Sequence, residues 1–125
     1  MTVWVDAWQM QCCGKPFAVG SHVAWTLTAA DAEWLMPVLG PRRGVTVDAA
    51  EDHHGRVPDD TTETTGTVTS ISAVHYRSAS QPGKVDRTSH PVPDSADLTA
   101  IEAADGWTPD RGDLHFGGYL VRIAV

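Results

Sequence analysis

Two adjacent thiols, Cys12 and Cys13, sit at a turn made by Gly14-Lys15-Pro16. A thiolate is both a nucleophile and a soft metal ligand, so two kinds of chemistry are open to this corner. The histidines that could join it are His22, His53, His54, His75, His90 and His115. Structural zinc sites usually chelate with short spacings between paired cysteines or paired histidines. No such spacing occurs in this chain. A zinc- or thiol-based site would instead need Cys12 or Cys13 to meet His22 across a first hairpin. His53 or His54 would then swing in from an acidic loop. Nucleophilic catalysis would pair Cys12 or Cys13 with His22 or His75 as base. The chain has no Gly-x-Ser-x-Gly elbow, no papain or caspase signature and no glycine-rich phosphate loop. Its carboxylates fall in polar stretches that would not raise a pKa for acid–base work. Neighbouring cysteines on a strand face opposite ways, and a disulfide between them closes a strained ring. The bland expectation is one buried sulfur acting as a small hydrophobe and one near the surface.

The same segment supports a binding reading. Trp4 and Trp8 alternate with Val3, Val5 and Ala7, and Gln9 and Gln11 follow. Indoles flanked by amides can dock a peptide or stack on a base or sugar. The competing expectation is that Trp4 and Trp8 are core residues packed on a short helix through Trp34. The net charge of −7 disfavours a nucleic-acid ligand, which needs lysine and arginine against phosphates. It equally disfavours an anionic membrane. No cofactor is expected.

These side chains must be positioned by pleated segments. Val3 to Trp8 alternates with period two, and so do Val23, Trp25 and Leu27. Thr28-Ala29-Ala30-Asp31 reads as a helix start, with Trp34, Leu35, Val38 and Leu39 on one face and Pro37 limiting its length. Val45, Val47 and Ala49 give a brief third strand. From Val68 to Tyr76 the alternation slips, which calls for a β-bulge near Ser70. Leu98 to Ile101 fits either a short helix or an edge strand. Tyr119, Val121, Ile123 and Val125 line one face of a final strand, released by Gly117-Gly118. The fold class that follows is mainly β. It is a small barrel or strongly bent antiparallel sheet of about five or six strands, SH3-like or OB-like, with one short helix. At 125 residues the chain is read as a single domain, 1–125. Residues 48–65 form an acidic, apolar-poor stretch within it, expected to be a mobile loop. Neither a signal peptide nor a spanning helix is legible, so the expected compartment is the cytoplasm, with both cysteines reduced.

The run Trp8-Gln9-Met10-Gln11-Cys12-Cys13-Gly14, with Pro16-Phe17, Val19-Gly20 and Trp25-Thr26-Leu27, resembles a family of small uncharacterised actinobacterial proteins. Gly66-Thr67-Val68 and Gly118-Tyr119-Leu120-Val121 fit the same pattern. The resemblance implies a free-standing bacterial domain and supplies no mechanism. The reading is thus a non-enzymatic binding module for a protein or small-molecule partner. Its site is the first hairpin, with Trp4, Trp8, Gln9, Gln11, Cys12 and Cys13. The alternatives are the zinc or thiol site on Cys12 or Cys13 with histidine and, behind it, an enzyme of unknown type. The oligomeric state is left open.

Overall fold

The computed structural model describes residues 1–12, 15–30, 47–51, 63–80, 89–91 and 96–125. In chain order the elements are β1 (Thr2–Asp6), α1 (Ala7–Cys12), β2 (Phe17–Ala18), β3 (His22–Trp25), β4 (Leu27–Thr28) and β5 (Ala49–Glu51). These are followed by β6 (Thr64–Tyr76), β7 (Ser78–Ser80), β8 (Ser89–Pro91), β9 (Asp97–Ile101), β10 (Ala103–Ala104) and β11 (His115–Ala124).

The main sheet runs β3-β6-β11-β1-β5-β4, with β9 added beside β6. Its two outer members are the two halves of one segment. β3 pairs with β6, β4 pairs with β5, and Thr26 alone separates them. The chain therefore bridges both ends of the sheet and brings it close to a closed barrel. β1 and β5 pair in parallel, and Asp48 fixes the start of that ladder. Asp48 N–H donates to the Thr2 carbonyl at 2.8 Å, and Thr2 N–H donates to the Asp48 carboxylate at 2.7 Å.

Period-two alternation sorts the side chains to two faces. Val3 opposes Val121, Val5 opposes Tyr119, and Val121 opposes Ile71, all within the barrel core. The intervening residues Trp4, Leu120 and Val74 form a second cluster with Ala96 on the outer face. β1 is therefore buried on both sides, which is why Val3, Trp4 and Val5 are all inaccessible. Burying each such side chain contributes about 1.5–3 kcal/mol. Aromatic rings run through the interior from Trp25 to Phe17 (5.2 Å), Tyr119 (6.2 Å), Phe116 (4.9 Å) and His75 (5.8 Å).

The mainly-β class, the near-closed barrel and a short helix agree with the sequence reading. So does the slip near Ser70. Arg122 pairs with Ser70 and Ile123 with Val68, leaving Thr69 as the extra residue of a bulge. A second bulge leaves Gly117 unpaired on β11. Leu98–Ile101 is strand, paired to β6. Other expectations are corrected. The first strand ends at Asp6, and Ala7–Cys12 is helix. Among the described residues β1 and β3 do not form the expected first hairpin, because β1 pairs with β11 and β5 while β3 pairs with β6. Thr28 belongs to β4 rather than to a helix start, and the rest of that expected helix lies outside the described residues. Of the expected 48–65 loop, 49–51 and 64–65 are strand, and 52–62 lie outside the described residues.

Candidate functional site

Helix α1 starts where it does for a local reason. Asp6, whose Oδ1 takes the Trp4 indole N–H, immediately precedes the helix with Gln9 three residues on, an Asp-x-x-Gln sequence of the capping-box kind. Ala, Gln and Met are good helix formers. Ala7 and Met10, three apart, are buried together on the barrel. Trp8 and Gln11, also three apart, share the exposed side, Trp8 at 47% exposure.

Against that helix lies a strap, residues 105–110, that crosses the end of the barrel where β1 and β6 finish. Polar side chains hold its backbone. Gly106 N–H donates to the Tyr119 hydroxyl at 3.0 Å, and that hydroxyl lies 2.8 Å from Thr108 Oγ1. Gln11 Nε2 donates to the Gly106 carbonyl at 2.9 Å. His75 Nε2 donates to the Pro109 carbonyl at 2.9 Å. Asp110 Oδ1 accepts Phe116 N–H at 2.8 Å, and Asp105 Oδ1 accepts Trp107 N–H at 2.8 Å. Gly106 has φ +86 and lies so near α1 that a Cβ there would stand 2.6 Å from Met10 Cβ. The strap is therefore seated directly on the helix. It carries Trp107 outward at 66% exposure, one residue from the carbonyl that Gln11 grips.

The chain segment leading into and through the strap is acidic, while exposed Lys15 precedes the β2 strand that pairs with β10. Glu102, Asp105 and Asp110 fall within nine residues that contain no lysine or arginine. Arg111, just beyond, is engaged by Asp97 at 3.0 Å and Thr99 at 2.8 Å, and Arg77 by Asp113 at 2.9 Å. The Phe116 N–H bond, helped by His115, holds the Asp110 carboxyl below its ordinary pKa against the opposing effect of burial.

The residues expected to form the site are divided. Trp4 is core, 3% exposed, with its indole N–H on Asp6 at 2.8 Å. Gln9 is buried. Trp8 and Gln11 are exposed together on α1. Cys12 ends the helix, while Cys13, His53 and His54 lie outside the described residues. His22 is exposed on β3, its Nδ1 3.0 Å from Thr67 Oγ1. It pairs with Thr67 beside Ala124, whereas α1 begins at the Gly118 end of β11, about six residues or ~20 Å of strand away. The barrel register thus separates His22 from the start of the cysteine-bearing helix. Among the described residues no three histidine, cysteine or acidic side chains gather as metal ligands. His22 and Thr67 help line a groove of about 390 Å³ with Val23, Thr65 and Val125. It is open to water, which weakens any charge-stabilising role there. Trp107 was not singled out by sequence. Its signal is an indole in the turn-rich run Asp105-Gly106-Trp107-Thr108-Pro109, with no apolar neighbour to bury it.

Fold and site together define a small β-barrel domain whose helix and strap present two tryptophans to solvent. The chain belongs to a family of unknown function, DUF6578, whose model matches residues 1–125. No curated protein and no solved structure matches the chain. No helix among the described residues is long and apolar enough to cross a membrane.

Proposed function

We propose that this domain is a non-enzymatic binding module, and that its contact surface is the face carrying Trp8, Gln11 and Trp107. The observation that carries the reading is Trp107. It is 66% exposed, yet its own N–H is bonded to Asp105 and the residue before it, Gly106, is held through its N–H by Tyr119 and through its carbonyl by Gln11. Exposing an indole forfeits the burial that normally stabilises it. Mounting it on a fixed backbone removes much of the ordering cost of binding, and tryptophan is enriched among residues that dominate interfaces. Trp8 and Gln11 add a second indole and an oriented amide on the same side of α1. The partner is a protein segment or a small ligand.

The test is quantitative capture from native lysate by the full chain, by Trp107→Ala and by Trp8→Ala, after confirming that thermal melts are alike. Species retained by the wild type and lost from both variants are the expected result. Identical capture by all three proteins would remove this surface from consideration.

A further inference from the structure

We infer that the Trp8–Gln11–Trp107 face receives a lysine- or arginine-bearing segment of a partner protein. The inference rests on the binding surface proposed above and adds the chemistry of what it binds.

Charge complementarity supports it. An exposed indole offers a negative π-face that attracts ammonium or guanidinium groups. The charged residues of the strap itself, Asp105 and Asp110, are acceptors, and against them stands exposed Lys15, two residues before the β2 strand that pairs with β10. Asp105, two residues before Trp107, is an exposed carboxylate whose Oδ1 is fixed by Trp107 N–H. Glu102 and Asp110 are exposed on the same strand-to-strap segment. Gln11 is oriented for the same role. Its Nε2 faces the Gly106 carbonyl, because the amide oxygen would repel that carbonyl. Oε1 is therefore the half of the amide left for a ligand, and it accepts. Arg111, the nearest strap-side cation in sequence, is tied to Asp97 and Thr99. An exposed indole with a carboxylate and an amide oxygen close by in the strap and helix suits a donor-rich cation, and guanidinium, planar and weakly hydrated, suits it best. A neutral apolar segment would leave Asp105 unpaired at the rim, and an acidic one would be repelled.

A net charge of −7 will attract any basic peptide loosely, so the test must separate a site from a diffuse field. The probe is a fluorescein-labelled, end-blocked peptide of alternating arginine and glycine. Its control is the same peptide with citrulline, neutral and nearly isosteric, at each arginine. Binding to the full chain is read by anisotropy at low and physiological ionic strength. The expected result is at least about tenfold preference for arginine over citrulline, shrinking with salt. Trp107→Ala and Trp8→Ala, which leave net charge unchanged, should each weaken the arginine peptide about threefold or more. Trp107→Phe should retain part of the affinity, and Asp105→Asn should lose about twofold.

If both tryptophan variants bind the arginine peptide as the wild type does, the attraction is diffuse and the inference is overturned. Equal binding of the citrulline peptide, or no binding of the arginine peptide, overturns it too. In those last two cases, lysate capture that is still lost in the tryptophan variants keeps the surface and discards only the cation.

Discussion

Gly106→Ala is the sharpest perturbation of the strap. Its φ of +86 is a conformation that residues with a Cβ adopt at a cost of about 1–2 kcal/mol. The new methyl group would also stand 2.6 Å from Met10 Cβ, 3.2 Å from Met10 C and 3.3 Å from Gln11 N. The last two are helix backbone and cannot rotate aside, so overpacking adds about 1–3 kcal/mol. The sum, about 2–5 kcal/mol, is a large share of a small domain's stability. Gly112→Ala is the control. Its φ is +61 in the tight turn between Arg111 and Leu114, and an added Cβ there meets open space. It carries the backbone cost alone, about 1–2 kcal/mol. Urea unfolding followed by far-ultraviolet dichroism measures both. With a slope of about 1–3 kcal/mol/M, the Gly106 variant should lose ~1–2 M in midpoint, and the Gly112 variant distinctly less. If the two variants fall within about 0.5 kcal/mol of each other, the strap is not seated on α1 and the rigid mounting of Trp107 is wrong.

Three further outcomes follow. Tyr119→Phe removes the hydroxyl that Gly106 N–H and Thr108 meet, leaving a buried donor unpaired at a cost of about 1–3 kcal/mol. Amide hydrogen exchange should show Gly106 opening while Val121, deep in β11, stays protected. Trp4→Ala should destabilise by about 3–5 kcal/mol, whereas Trp8→Ala should cost less than about 1 kcal/mol, both read by thermal or urea melts. Asp110 has a lowered pKa in the folded state, so the unfolded chain binds its proton more readily. Its stabilisation is therefore complete above the ordinary carboxylate range and is lost as pH falls below about 4. Asp110→Asn should flatten the acid limb of the stability profile there and leave the neutral region parallel to wild type. An unchanged acid limb would show that the Phe116 bond does not hold.

What alternates in this sequence was legible, and what depends on where alternation stops was not. β11 could be read because Tyr119, Val121 and Ile123 face one core and neighbouring Leu120 the other. The bulge at Thr69 could be read because one extra residue shifts a period-two pattern visibly. The barrel closure was inferred only as a class. Its actual device, one segment divided at Thr26 between two partners, leaves no mark on hydrophobic spacing.

The tryptophans show how far side-chain exposure could be read from the sequence. With period two, Trp4 and Trp8 share a strand face, and the two would be buried or exposed together. The strand ends at Asp6, and beyond it the period is 3.6. That change turns Trp8 away from Trp4, leaving one in the outer core cluster and the other 47% exposed. The Asp6-x-x-Gln9 pattern carried the information, but the apolar alternation before it extended the strand reading past its end. Trp107 required something no local pattern contains. Its exposure is set by Tyr119, His75 and Gln11, which come from a strand, another strand and a helix distant in sequence, each bonding the backbone of a strap with little apolar content of its own. Pinned from three elements, the strap holds the backbone beside an exposed indole, and the contact role proposed for Trp107 draws on that fixed mounting.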